Sequence, residues 1–339
     1  MSRNYKNLQE KITFDSVMKL LSEKFAEIFD HRRVNRSIEL PDILRSAFAM
    51  FSLKSASLLS FEEQTKQEKK NLKSIYHIET IPSDTQMRAA LDPIDPNPLR
   101  DVFASLFEKL HESGVIKEYE YLKGHVIVSV DGVEHFYSTK VHCDHCTTRT
   151  NRNGETSYHH SGLAAVIVHP DHEEVFPLDF EPILNQDGAV KNDCERNAAK
   201  RLCRALAERY PDLKPILVED ALYANAPHIR QLTDNGWLYV LNVKPDSHQS
   251  LERQFAGRKE RGQVKELWMI DPKGVRHYFA WTNDLRPVRE RCRCNCQLLA
   301  LRTDRQARKN HSLDLGNEHS TQCKIGRECH ACRSLPMEN

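Results

Sequence analysis

The stretch HVIVSVDGVEHFYS, His125 to Ser138, decides how the rest of the chain is read. Branched apolar residues lead into Asp131-Gly132-Val133-Glu134, and a second strand-like run comes after them. Charge is costly at the end of a buried strand, so Asp131 needs a reason. One reason is a turn, because Asp-Gly is a strong two-residue hairpin signal. The other is a metal-binding carboxylate held on a rigid strand.

Outward from this stretch, the pattern predicts strands at 126–131, 135–142 and 162–168, with a shorter one near 175–178. An amphipathic helix over 195–209 places Ala198, Ala199, Leu202, Cys203 and Leu206 on one face. A strand at 215–220 (PILVED), a helix at 226–234 and a strand at 237–243 come next. Segment 265–282 reads as a hairpin turning at Pro272-Lys273-Gly274. Consecutive strands succeeded by alternating helices and strands predict a mixed sheet covered by helices.

Residues 1–115 read as helical throughout. Phe14, Val17, Leu21, Phe25 and Ile28 recur at helical spacing, as do Ile43, Leu44, Ala47, Phe48 and Phe51 after Pro41. Leu99, Val102, Phe103, Leu106, Phe107 and Leu110 mark another amphipathic helix. Between them, a basic helix, a turn and a helix opened by the capping-box pattern Ser83-Asp84-Thr85-Gln86 suit a helix-turn-helix. Lys66, Lys69, Lys70, Lys73 and Arg88 would then lie near phosphates. A helical pair with a solvated basic face is the plainer alternative.

The 339 residues suggest about two domains. With 39% hydrophobic and 29% charged residues, the composition is that of a soluble chain with a real core. MSRNYKNLQEK at the start has no apolar core, so it is no secretory signal. Apolar runs such as LAAVIV at 163–168 fall far short of the ~18 residues of a membrane helix. A cytoplasmic protein with no membrane partner is expected. The net charge of +1 neither supports nor excludes nucleic acid. Ten cysteines in such a compartment point to metal, catalysis or accident rather than disulfides.

Two strands end in acid, Asp131 and Asp220. Carboxylates from two strand ends can hold Mg²⁺ and support phosphodiester chemistry, although each can also cap a turn or a helix. The segments SVDGVEHFYSTKVHCDHC, YHHSGLAAVIVHPDHEEVFPLDFEPI, KNDCERNAAKRL, VEDALYANAPHI and NVKPDSH resemble bacterial insertion-sequence DDE transposases. SAFAMFSLKSASLLSFEEQ and IPSDTQMRAALDPIDP resemble the N-terminal region of that group, so the likeness runs from about 35 to 285.

The resemblance implies an α/β, RNase H-like mixed sheet with covering helices over 120–285, with a hairpin insertion near 265–282. An all-helical DNA-binding domain, 1–115, precedes it. It implies Asp131 and Asp220 as Mg²⁺-binding catalytic acids that cleave DNA at element ends and transfer strands. The implied partners are double-stranded DNA, both element ends and target, engaged by a homodimer.

The family's third acid is a Glu on a later helix, and here the likeness stops near Trp281–Val288. Residues 286–339 read as a basic, Cys-rich tail: Leu285 to Asn310 holds eight Lys/Arg against two acids. Loss of likeness, periodicity and the acid-bearing helix at one point is what truncation or a displaced reading frame produces, and Glu318 has no helix to hold it. An inactive remnant of the family, or a zinc-stabilised DNA-binding protein, are therefore the alternative functions.

Cys143-x-x-Cys146 precedes Tyr158-His159-His160, and a hairpin would bring thiols and imidazole together for Zn²⁺. Neighbouring strand residues face opposite ways, so one histidine serves, taken here as His159, with His142 or His145 as a fourth donor. The tail's Cys292, Cys294, Cys296, Cys323, Cys329 and Cys332 read as accidental rather than as a metal site.

Overall fold

The structure is a computed structural model, which describes residues 12–185, 194–243, 248–271, 276–285, 296–304 and 321–326. The chain divides into two compact units, Met1–Glu118 and Tyr119–Asn339.

The first unit is helical: α1 Phe14–Glu27, α2 Leu40–Ser52, α3 Leu58–Tyr76, α4 Asp84–Leu91, α5 Arg100–Glu112 and the short α6 Val115–Glu118. Local chemistry sets the helix starts. Thr13 and Ser57 side chains accept the N–H groups of Ser16 and Ser60, and Pro41 lies in the first turn of α2. At α4 both halves of the capping box form: Gln86 N–H donates to the Ser83 hydroxyl and Ser83 N–H to the Gln86 side chain. The core gathers Met18, Leu21 and Phe25 from α1 with Ile43, Leu44, Phe61, Leu72 and Met87. Phe51, predicted on the apolar face, is instead 75% exposed.

The second unit begins with β1 Glu120–Leu122, β2 His125–Ser138, β3 Thr147–Thr150, β4 Thr156–Val168 and β5 Phe176–Ile183. Next come α7 Glu195–Arg209, β6 Pro215–Glu219, α8 Ala226–Asp234, β7 Leu238–Val243 and α9 Gln249–Glu260. The sheet runs β5-β4-β2-β6-β7 through its centre. The β5–β4 and β4–β2 pairings are antiparallel, whereas β2–β6 and β6–β7 are parallel. This is the strand order of the RNase H-like fold. Helix α7 packs on β5 and β4 through Ala198, Ala199, Leu202, Cys203 and Leu206, the face its periodicity predicts.

Asp131-Gly132 is not a turn, and the strands predicted at 126–131 and 135–142 are a single strand, β2, ending at Ser138. The reason is the partner: β4 pairs along its whole length, with Asp131 opposite Ala164, Gly132 opposite Leu163 and Val133 opposite Gly162. Only the burial changes, from alternating buried Val126, Val128 and Val130 to exposed residues from Asp131 to His135.

Beyond β7 the sheet continues through β11 Thr321–Gly326, β10 Cys296–Asp304, β9 Arg276–Leu285 and β8 Lys265–Ile270, all antiparallel. The hairpin expected over 265–282 is β8–β9, its turn at 272–274 lying outside the described residues. The tail thus supplies two strands, while Glu318, Cys292, Cys294, Cys329 and Cys332 lie outside the described residues. Among the described residues, no helix is long and apolar enough to cross a membrane.

Candidate functional site

Parallel pairing of β2 with β6 sets Val126 beside Pro215 and runs in register to Ser129 beside Val218. Asp131 and Asp220 each lie two residues further along. They therefore stand at matching positions where the two strands part, on neighbouring strands spaced about 4.8 Å. Residues in register share a sheet face, so both carboxylates leave on the same side. Both are exposed. One oxygen of each is occupied locally: Asp131 Oδ1 accepts the Gly132 N–H at 2.8 Å, and Asp220 Oδ1 accepts the Leu222 N–H at 2.8 Å. At Asp220 the turn-capping role and the strand-end position coexist, whereas at Asp131 the contact lies within a strand that runs on.

A third carboxylate, missed in the sequence, comes from the first turn of α7. A Cβ on Gly132 would lie 3.1 Å from Glu195 Oε1 and 3.5 Å from Oε2. A side chain at 132 would crowd that carboxylate away from the strand. On its other side, the Tyr223 hydroxyl donates to Glu195 Oε2 at 3.4 Å. Burial, followed by the charges of Glu195, Glu219 and Asp220, holds the Tyr223 hydroxyl far above its ordinary range, so it stays a donor. Glu195 thus lies over Gly132, the residue next to Asp131, and beside Tyr223, on the sheet side to which position 132 points. The signal that would have found it is Gly132, a strand residue without a side chain beside an acid.

Among the described residues, no Lys or Arg forms an ion pair with Asp131, Glu195 or Asp220. Solvent-accessible, uncompensated oxygen donors of this kind suit a hard divalent cation such as Mg²⁺. An open cleft of about 430 Å³ runs from Glu195 along Arg196, Leu222, Thr147 and Arg149. Of its two arginines, Arg149 is paired with Glu134 at 3.1 Å, and Arg196 is exposed where it could meet a phosphate backbone.

Glu219, immediately before Asp220, faces the other way. It is buried and meets His228 Nε2 at 2.6 Å, with its Oε1 left without a partner. It serves the packing of α8 on the sheet.

The cysteine motif folds into a separate cluster. Cys146 N–H donates to Cys143 O at 3.2 Å, closing a turn that sets the two sulfurs 3.8 Å apart. Each sulfur lies 3.3 Å from His160 Nε2. The expected His159 is not the histidine that reaches them. Its ring lies on the opposite face of β4, between Glu134 Oε2 at 3.0 Å and the Ser157 hydroxyl at 2.8 Å. The His142 ring is stacked on Tyr158. Burial, with the charges of His135 and His145, pushes His160 below the ordinary histidine range, which keeps it neutral.

In the first unit, Lys69, Lys70 and Lys73 lie exposed on α3, which bends at Glu68, and Arg88 is exposed on α4. Lys69 and Lys73 line a groove between α3 and the start of α4. Lys73 is paired with Glu79, and Arg88 Nε with Asp84 at 2.7 Å, so two of the expected phosphate contacts are already compensated. The Lys66 side chain lies outside the described residues.

No family model matches this sequence, and no curated protein matches it. Among solved structures, the chain is similar to the piggyBac transposase of a cryo-EM synaptic complex with hairpin DNA. The TM-score is 0.34 with 11% sequence identity, covering 92% of this chain and 62% of that one. The chain thus spans under two thirds of its neighbour's length, and the strand order rather than this likeness defines the fold.

Proposed function

We propose that the protein is a DDE-type transposase that cleaves DNA at element ends and joins them to target DNA. The observation that carries this reading is that Asp131 and Asp220 stand at matching positions of neighbouring parallel strands, just where the β2–β6 pairing stops, in an RNase H-like sheet. The resemblance of several ordered segments to insertion-sequence transposases supports it. Asp131 and Asp220 would hold Mg²⁺, and Glu195, whose carboxylate lies over Gly132 next to Asp131, is the candidate third carboxylate among the described residues. Held by these residues, Mg²⁺ would supply the Lewis acidity that phosphodiester chemistry needs.

The chain's own contribution is placement. Gly132 N–H and Leu222 N–H fix one oxygen of each Asp, and Tyr223 orients Glu195. Arg149 and Arg196 border the same cleft, and Arg196 neutralises the DNA backbone. Lys69 and Lys70 of the helical unit add sequence-independent affinity for double-stranded DNA, and two copies pair two ends.

The test is cleavage and strand transfer on a supercoiled plasmid carrying the flanks of this gene, with Mg²⁺. Asp131→Asn, Asp220→Asn and Glu195→Gln should each abolish both steps while leaving DNA binding intact. An inactive wild-type chain that still binds DNA would favour the remnant reading. Full activity in Glu195→Gln would remove Glu195 from the site.

A further inference from the structure

We infer that Cys143, Cys146 and His160 bind one Zn²⁺ in a tetrahedral site whose fourth position is open to solvent. With Zn–S near 2.3 Å and Zn–N near 2.05 Å, tetrahedral angles put two thiolates about 3.8 Å apart and thiolate from imidazole about 3.5 Å. The observed separations are 3.8 Å between sulfurs and 3.3 Å from each sulfur to His160 Nε2. All three donor atoms lie within 4.8 Å of one another. Two soft thiolates and an imidazole in this arrangement select zinc over Mg²⁺ or Ca²⁺.

The fold builds the site in two pieces. The Cys143–Cys146 turn supplies two donors, and the Cys143 N–H points at Cys146 Sγ from 3.4 Å. The third donor comes from β4, where pairing with β2 slips by one residue between Glu134 and Phe136 and leaves His160 opposite Phe136. Cys146 is 3% exposed, whereas Cys143 is exposed, so one flank is sealed and the other meets solvent.

The metal has a structural task. It ties the loop after β2 to β4 just before Thr147, and Thr147 and Arg149 form one wall of the cleft that Glu195 enters. The zinc site itself does not depend on what the acids do.

The test uses the full-length chain with Cys292, Cys294, Cys296, Cys323, Cys329 and Cys332 changed to Ser, so that only this cluster is read. After reconstitution with zinc sulfate under a phosphine reductant and exhaustive dialysis, mass spectrometry should find one zinc per chain. Cys143→Ser, Cys146→Ser and His160→Ala should lose it, whereas His159→Ala and Asp131→Asn should keep it. The cobalt-substituted protein should show thiolate-to-cobalt charge transfer and intense visible bands of a tetrahedral centre. These two measurements on the unaltered cluster decide the matter even if a variant fails to fold. Absence of zinc and of the cobalt bands, retention of zinc in His160→Ala, or a Cys143–Cys146 disulfide in place of metal would each overturn the assignment.

Discussion

Glu195 and Gly132 meet without a side chain between them: a methyl group at 132 would come to 3.1 Å from Glu195 Oε1. Gly132 is not at positive φ, so alanine suits its backbone, and only the carboxylate has to move. Gly132→Ala should therefore change stability by no more than about 0.5 kcal/mol. Displacing a positioned carboxylate by a fraction of an ångström should nonetheless lower Mg²⁺-dependent plasmid cleavage by about tenfold or more. Thermal melting and a cleavage time course would separate the two effects. Undiminished cleavage would mean that Glu195 stands apart from the chemistry.

Salt dependence should sort the basic residues of the helical unit. Lys69 and Lys70 are exposed and, among the described residues, in no ion pair, whereas Lys73 and Arg88 are held by Glu79 and Asp84. Changing Lys69 and Lys70 together to Gln should flatten the slope of log K against log salt by about 1.8, since each lost phosphate contact removes about 0.9. The same change at Lys73 and Arg88 should do less, because those charges are already partly neutralised. Equal slopes for both double variants in a fluorescence-anisotropy titration would contradict this.

The Glu219–His228 pair should be a strong point of the second unit. Both residues are 3% exposed, and their side chains meet at 2.6 Å. His228→Ala would leave a buried carboxylate with no partner, at a cost of about 3–5 kcal/mol. Adding Glu219→Leu in the same chain should recover much of that loss, because an apolar pair removes the stranded charge. Urea unfolding of the two variants measures both steps, and a loss below about 1 kcal/mol in His228→Ala would refute the account.

Asp42 should play the matching part in the helical unit. It is 6% exposed, and its carboxylate takes the Arg45 guanidinium at 2.5 Å and the N–H groups of Glu79 at 3.2 Å and Thr80 at 3.0 Å. It thereby holds the segment that joins α3 to α4. Asp42→Ala should destabilise the unit by about 3 kcal/mol, and amide exchange at Glu79 and Thr80 should accelerate. Unchanged protection at those two amides would show that the carboxylate does not hold the turn.

Much of this molecule is legible in local sequence. The face Ala198, Ala199, Leu202, Cys203 and Leu206 lies buried where a 3.6-residue period puts it, and Ser83 with Gln86 caps α4 because that chemistry acts within one turn. The alternating valines before Asp131 and the apolar run before Asp220 mark the buried half of β2 and the whole of β6 in the same way. Contacts between distant segments have no such periodic trace. Whether Asp131-Gly132 turns or runs on was decided by β4, which pairs past it. Whether His159 or His160 meets Cys143 and Cys146 was decided by which face of β4 the cysteine turn folds onto, because adjacent strand residues point apart. Glu195 looks in sequence like any first-turn acid of a helix, and only the packing of α7 on the sheet carries it to Gly132. Sequence alone settles what each segment prefers over one turn or one strand. Which side chains then share a site depends on strand register and helix docking, which are properties of the assembled sheet.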